Sequence, residues 1–354
     1  MNLPEIPPEM MRFVLWPTLK FMVAFVIVQV IVAAMTWIER RVLGFMQARL
    51  GPNRVGPQGL LQIIADPVKL LLKEDIVPSS AEKISYFIAP MIPLIPAFVV
   101  FTLIPFGPPP TFVITNVNVG LLLILALTSM SVYGLILGGW ASNNKFSLMG
   151  GLRSAAQMIS YEVPFALSIV GMLMLVGHLD LVSIVTWQEQ HLWGFIPQIL
   201  GCFIFLVAMV AENNRAPFDL PEAETELVAG FHTEYSGMKF AFFFLAEYAL
   251  MLVNSCLIVT LFFGGWTLGM LGVGLTTPVL QNMGLFGAVL GTLIFVTKVM
   301  AFMVFYVWLR GTFPRFRFDQ LMELGWKWMI PLALVNIALT GTLLLAGISM
   351  GIFK

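Results

Sequence analysis

Eight stretches of this chain are long and apolar enough to cross a lipid bilayer, and no other feature limits its fold so severely. A hydrocarbon core about 30 Å thick takes about 20 apolar residues in helical form. Runs at roughly 16–38, 84–105, 119–140, 155–177, 193–211, 240–263, 285–308 and 328–350 meet that length. Inside lipid every backbone N–H and C=O must be satisfied by the chain itself, and a continuous apolar run does this as a helix. The composition agrees, with 59% hydrophobic and 11% charged residues, against about 25% charged in soluble domains. The expected fold is an all-α membrane protein of about eight transmembrane helices. It forms a single integral domain over residues 1–354, without a fixed-period repeat or a soluble second domain. No signal-peptide pattern precedes the first run, which reads as a retained span. Pro90, Pro93 and Pro96 each remove a backbone donor from the second span, which should kink there.

Lysine and arginine set the expected orientation. Loops 39–83, 141–154, 212–239 and 309–327 hold seven, two, two and four basic residues, whereas the opposite face has only Arg12, Lys20 and Lys354. The charged face is therefore expected to be cytoplasmic and both termini periplasmic. The opposite loops, such as 106–118 and 264–284, are rich in Gly, Pro and Thr and carry no charge. A protein with one bland and one charged face is expected to work with something on the charged side.

Residues 59–74 are too short and too polar to span. Gln62, Asp66, Lys69 and Lys73 recur at steps of four, three and four, which places them on one stripe of a helix. This is the pattern of an amphipathic helix lying in the cytoplasmic interface, its polar stripe towards water or a partner. Pro67 predicts a kink or a split into two helices. Just before it, Gly51-Pro52-Asn53-Arg54-Val55-Gly56-Pro57 stiffens the backbone with two Gly-Pro pairs. It reads as a rigid connector or a shaped surface for a partner or ligand.

Several charges stand where lipid makes them expensive. Glu162, Glu247 and Lys298 lie inside spans, where each costs about 2.5–3.5 kcal/mol on insertion scales. Glu39 and Glu212 fall where the first and fifth spans meet the cytoplasm. All five are expected in the inner half, lining one polar funnel, or else as structural pairs with Lys298 neutralising a glutamate. Carboxylates held between desolvation and a nearby ammonium suit proton exchange near neutral pH. The densest feature runs from Glu212 through Arg215-Ala216-Pro217-Phe218-Asp219-Leu220-Pro221-Glu222-Ala223-Glu224-Thr225-Glu226 to Glu234, with six acids against one arginine. Such a loop repels itself unless it is solvated, protonated or paired with basic groups. The last inner loop alternates aromatic and basic residues around Arg315 and Arg317, a pattern of headgroup contact and partner docking beside a membrane.

Other chemistries lack their motifs. There is no GxxxxGK[ST], and Gly272-Val273-Gly274 lacks the rest of a dinucleotide fingerprint. Cys202 and Cys256 offer no CxxC pair, and the three histidines have no metal spacing. No metal, iron–sulfur, flavin or NADH site is expected in this chain, and its zero net charge gives no field for nucleic acid.

The motifs together resemble the H-subunit family of NADH:quinone oxidoreductase, bacterial respiratory complex I, whose mitochondrial counterpart is subunit 1. The resemblance rests on Glu39-Arg40-Arg41, the Gly-Pro-Asn-Arg-Val-Gly-Pro run and Gln62…Ala65-Asp66…Lys69…Lys73-Glu74-Asp75. It rests equally on Pro217 to Leu227, Glu234-Tyr235-Ser236-Gly237-Met238-Lys239 and Pro314-Arg315-Phe316-Arg317-Phe318-Asp319-Gln320, and it covers about residues 36–345. It implies a non-autonomous subunit in the bacterial inner membrane. Such a subunit would form much of a quinone chamber with peripheral-arm subunits and couple quinone reduction to proton translocation. Carried over by motif, Glu39, Asp66, Asp219, Glu222, Glu224 and Glu226 belong to the chamber and its acidic loops. Glu162, Glu212 and Glu247, with Lys298, belong to a proton path. Arg40, Arg41, Arg49, Arg54, Arg315 and Arg317 belong to the entrance or docking face. Quinone, membrane lipid, the peripheral-arm quinone-module subunits and small membrane-arm subunits are the implied partners. Two other classes stay open: the corresponding subunit of an energy-converting hydrogenase, and a solitary secondary transporter, for which no duplicated half is evident.

Overall fold

The computed structural model describes residues 15–220 and 228–346. Glu222, Glu224 and Glu226 lie outside these residues, as do Arg12, Lys354 and both chain ends. The described residues are helical, joined by turns, with one isolated bridge between Met270 and Val273. In order they form α1 Trp16–Met46, α2 Gln62–Leu72, α3 Lys83–Ile88, α4 Met91–Val100, α5 Gly120–Ser129, α6 Ser131–Ala141 and α7 Lys145–Val176. There follow α8 Leu181–Gln190, α9 Ile199–Glu212, α10 Gly237–Phe262, α11 Thr277–Asn282, α12 Gly284–Thr312, α13 Phe318–Glu323 and α14 Ile330–Leu345.

Seven helical stretches among the described residues are long and apolar enough to cross a membrane: Trp16–Met46, Lys83–Val100, Gly120–Ala141, Lys145–Val176, Gly237–Phe262, Gly284–Thr312 and Phe318–Leu345. The protein is a multi-pass membrane protein. The expected eighth span differs. Its run begins at 193, but helix α9 has only 14 residues, or about 21 Å at 1.5 Å per residue. The preceding residues are spent on a turn: Gly194 N donates to Gln188 Oε1 (3.0 Å), and Phe195 N donates to the Phe262 carbonyl (3.0 Å). The second span breaks between α3 and α4 at Ala89-Pro90, while Pro93 and Pro96 lie within α4.

Helix α10 is the central element. From Met251 to Phe262 every residue is buried, so it is enclosed by protein, while α1 exposes Trp16, Leu19, Val23, Val26, Ile27 and Val30 to the surroundings. Polar side chains tie apolar helices together where lipid offers no alternative partner. Gln198, at the start of α9, accepts from Asn336 Nδ2 (2.8 Å) and donates to Thr340 Oγ1 (2.9 Å) on α14. Gly171 of α7 makes room for that bridge, since a Cβ there would stand 2.3 Å from Gln198 Oε1.

Helix α2 is not split in two at Pro67, one of the two outcomes expected there. It runs unbroken from Gln62 to Leu72 with Pro67 inside it. The turn around the proline is braced from outside: Gln62 Nε2 donates to Asp66 Oδ1 (2.7 Å), and Arg40 of α1 pairs with Asp66 Oδ2 (2.7 Å). The first half of the polar stripe thus faces α1, while Ile64, Leu71 and Leu72 are exposed.

The end of the molecule with uncharged loops is closed by Gln188 and Glu189 at the close of α8. Gln188 Oε1 accepts from Gly194 N and Gly264 N (both 3.0 Å), and its amide donates to the Thr260 carbonyl (2.8 Å). Glu189 is 4% exposed and accepts from Thr277 N (3.0 Å) and from the Thr277 hydroxyl. Burial pushes the Glu189 carboxyl up from its ordinary value, against the two hydrogen bonds from Thr277. A raised carboxyl contributes stability that is fully present below its unfolded-state pKa and lost as pH rises through the folded value. Glu189→Gln should therefore raise the thermal midpoint of the purified protein at pH 7 by about 1–3 °C. That advantage should shrink towards zero as the buffer is taken below the ordinary glutamate pKa. A variant that is less stable at pH 7 would show that the negative charge itself is needed.

Candidate functional site

The site forms at the charged end, where the chain leaves α9. The helix ends at Glu212, and Asn214 takes a left-handed conformation (φ 49°), which asparagine tolerates better than most residues. The chain then turns back into the protein, and residues 211–220 are all buried. Their backbone is held by Gln157 of α7, whose amide donates to the carbonyls of Ala211 and Phe218 (both 2.8 Å). Asn214 Nδ2 donates to Ser154 Oγ (3.0 Å). Phe218 stacks on Phe316 (5.3 Å between centroids), and Phe316 N donates to the Pro217 carbonyl (3.1 Å). The aromatic–basic loop after α12 is thus partly packed against its own chain.

This turn delivers Arg215 to the centre of a charge cluster. Its Nη1 lies 3.3 Å from Glu39 Oε1 on α1, and its Nε lies 2.5 Å from Glu247 Oε1 on α10. Arg310 of α12 also pairs with Glu39, and the Tyr248 hydroxyl donates to the other oxygen of Glu39. The Arg215 guanidinium sits over the Tyr248 ring, 4.4 Å from its centroid. Two acids and two bases thereby balance in charge. Arg215 and Glu39 are 7% and 5% exposed. Burial alone would weaken the hold of Arg215 on its proton, but Glu247, Tyr248 and Glu39 more than offset this, and it stays charged.

Asp219 lies beside this cluster, 3.2 Å from Arg315 Nη2. Burial raises its carboxyl above the ordinary value, although Arg315, Arg310 and Arg215 all pull the other way. Glu212 has a different environment. Among the described residues it accepts from Asn254 Nδ2 (3.3 Å), which also donates to Asn213 Oδ1 (3.3 Å), and Asn213 in turn donates to the Tyr306 hydroxyl (2.8 Å). No ion pair joins Glu212 or Glu162 to a cation among the described residues, and the two are close enough to repel one another. A cavity of about 110 Å³ has both Glu212 and Glu247 in its wall, together with Asn213, Phe244 and His232. Burial pushes His232 down to about 4, so it meets that cavity as a neutral imidazole.

The structure brings together Glu39, Glu247 and Asp219; Glu212 shares a cavity wall with Glu247, and Glu162 lies near Glu212. Asp66 belongs to the pair with Arg40 on the neighbouring α1–α2 corner. Arg41 donates to the Gln58 carbonyl (2.8 Å) and covers Trp37 and Phe45. Arg49 donates to Gln47 Oε1 (2.6 Å), Arg54 is exposed, and Arg317 pairs with Asp319 (2.5 Å).

Lys298 stands apart from all of these and neutralises no glutamate among the described residues. Its ammonium donates to the carbonyls of Phe263 (2.7 Å), Gly265 (3.1 Å) and Thr267 (2.6 Å), and lies over Trp193. Those carbonyls follow the far end of α10, sixteen residues beyond Glu247, or about 24 Å along the helix axis. The long lysine stem carries its charge to the uncharged end, where free carbonyls after the helix accept it.

Sequence reasoning missed Arg215, Arg310, Tyr248 and Asn254 as members of the site. Arg215 had a signal, as the one cation among six acids. The others had none, because nothing in a linear sequence says that a tyrosine of α10 faces a glutamate of α1.

These features define a multi-helix membrane protein with a charge-balanced cluster buried at one end. The chain belongs to the NADH dehydrogenase family, whose model matches residues 19–341. It is 44% identical to the NADH-quinone oxidoreductase H subunit numbered 1 of Cytophaga hutchinsonii, over 96% of this chain and 99% of that one. It is 49% identical to the H subunit of Thermomicrobium roseum (93% and 97% covered) and 50% identical to the H subunit of Bacillus cytotoxicus (85% and 86%).

Removing one partner of a buried ion pair strands the other, at a cost of about 3–5 kcal/mol. Arg215→Gln should therefore lower the amount of folded protein in the membrane and its thermal midpoint in detergent. The double variant Arg215→Gln/Glu247→Gln should recover part of the loss, with a coupling of about 1–3 kcal/mol in the double-mutant cycle. Strict additivity of the two changes would show that the contact carries no energy.

Proposed function

We propose that this chain is the membrane subunit of a proton-translocating NADH:quinone oxidoreductase in which a quinone site meets the proton-conducting membrane arm. The observation that carries this reading is the cluster of Glu39, Arg215, Glu247 and Arg310 buried at the charged end, in a chain whose relatives are named as the H subunit of that enzyme. The cluster has no catalytic group that would act alone. Its chemistry is to hold protons and charge.

In this reading the charged end is cytoplasmic and receives the peripheral arm, and small membrane-arm subunits lie beside the chain. Helix α9 with its preceding turn completes an eighth crossing, both termini are periplasmic, and the membrane is the bacterial inner membrane. Fifteen basic residues in the inner loops against three on the other face support that orientation. The quinone head is held above Glu39, Asp66 and Asp219, with Glu222, Glu224 and Glu226 supplying the acidic loop. Arg40, Arg41, Arg49, Arg54, Arg315 and Arg317 form the rim that docks the arm. NADH, flavin and iron–sulfur clusters belong to other subunits, which deliver electrons to the quinone.

Reduction of a quinone to the hydroquinone takes up two electrons and two protons. The proton demand falls first on Asp219, which stands beside the cluster. Loss or gain of charge there redistributes Arg215 and Arg310 between Glu39 and Glu247. Glu247 shares its cavity with Glu212, and Glu162 follows. Among the described residues, Glu212 and Glu162 have no cation that would hold them ionised, so they suit proton relay. Lys298, about 24 Å away along α10, has no part in this path.

Copies of the complex carrying Glu247→Gln or Glu226→Gln should assemble with a full set of subunits. NADH oxidation by a water-soluble acceptor that bypasses quinone should be normal in them. Quinone reduction or proton pumping should fall about tenfold or more, as expected for a lost proton-transfer group. Normal quinone reduction and pumping in both variants would remove the mechanism. Purification with a nickel–iron hydrogenase subunit, or transport by the isolated chain in liposomes, would replace the assignment itself.

A further inference from the structure

The uncharged end of the molecule carries a long groove with no part in the charge cluster. It runs along α1 from Trp16 to Ile31 and is closed by the loop at 106–114, by Leu252 and Cys256 of α10, and by α12 from Thr292 to Met300. Its volume is about 260 Å³, and its wall is almost wholly apolar. Fifteen steps of α1 make it about 22 Å long, more than the roughly 15 Å depth of one bilayer leaflet. A helix with its side chains is about 10–12 Å across and would not enter so narrow a space.

Lys20 stands at the mouth. Its ammonium donates to the carbonyls of Pro110 (2.9 Å) and Val113 (3.2 Å). No carboxylate pairs with it among the described residues. An ammonium has three donors, and the described residues supply acceptors for two of them, which leaves the third for a headgroup oxygen. Trp16, beside it and 56% exposed, is of the type that settles at the membrane–water boundary. The mouth therefore lies at headgroup depth, and the groove extends inward along the direction of an acyl chain.

We propose that this groove binds one anionic phospholipid of the outer leaflet, with an acyl chain along α1 and the phosphate on Lys20. An apolar chain matches the wall, and a phosphate oxygen completes the lysine's donors. An isoprenoid tail would fill the wall but leave the ammonium without its acceptor. Its assignment to the outer leaflet rests on the orientation proposed above, but the groove shares no residue with the charge cluster and does not depend on quinone binding.

The test uses the whole complex in mild detergent, incubated with phosphatidylglycerol or phosphatidylcholine bearing a photoreactive group in one acyl chain. The same complex is also treated with a photoreactive isoprenoid quinone. The expected result is labelling of peptides within residues 19–31 and 292–300 by the phosphatidylglycerol probe. Lys20→Gln should reduce that labelling about fivefold, to the phosphatidylcholine level, as for loss of one lysine facing an anionic headgroup. Ala24→Trp, which fills the groove, should abolish it while labelling elsewhere on the chain persists. If Ala24→Trp fails to assemble, Ile27→Trp at the exposed lip should block entry in the same way. Equal labelling by the two phospholipids, labelling unchanged in the groove-filling variants, or labelling by the quinone probe alone would each overturn the proposal.

Discussion

The buried guanidinium of Arg215, shared by Glu39 and Glu247, is the interaction on which the charged end of this molecule depends. It joins three separate parts of the chain: the inner half of α1, the turn after α9, and the first half of α10. Arg310 brings in α12 through the same Glu39. Taken alone, each of these charges would be expensive to bury, and together they cancel. The neutral balance allows the turn from Asn213 to Leu220 to be folded into the protein, although it leads into a stretch dense in acids. The amide of Gln157 and the stacking of Phe218 on Phe316 fix that turn in place. Asp219 then stands against Arg315 with its proton held more tightly than usual.

The two ends of the molecule solve the burial of polar groups differently. Around the cluster at the charged end, Glu39, Glu247 and Asp219 face arginines, while Glu212 and Glu162 face no cation among the described residues. At the other end the polar atoms are used up locally: Gln188 closes the turns at Gly194 and Gly264, Thr277 fills Glu189, and three carbonyls surround the ammonium of Lys298. One end is an arrangement that can change its charge, and the other is a cap.

Much of the architecture was legible because lipid leaves the backbone so few choices. Most of the long apolar runs became helices, the second span broke beside Pro90, and the stripe from Gln62 to Lys69 fell within α2. Two expectations failed for reasons outside their own segments. Pro67 does not split α2, whose turn at Asp66 is also tied to Arg40 of α1. Lys298 sits where a mid-span residue should, but its flexible stem carries the charge towards carbonyls of the turn that follows α10. The fifth run lost its first residues to a turn stitched to Gln188, six residues before Gly194, and to Phe262, far along the chain.

Residue spacing and hydropathy by themselves determined that this chain lives in a membrane as helices, that one face carries the charge, and which acids stand where lipid would reject them. Only the folded chain decided which charge meets which: Arg215 with Glu39 and Glu247, Arg310 with Glu39, Glu212 with an asparagine. The physical reason is range. Backbone satisfaction in lipid is a local demand that each run of about 20 residues meets alone. Pairing of buried charges acts over a few ångströms between segments up to 271 residues apart, and no local pattern records the partner.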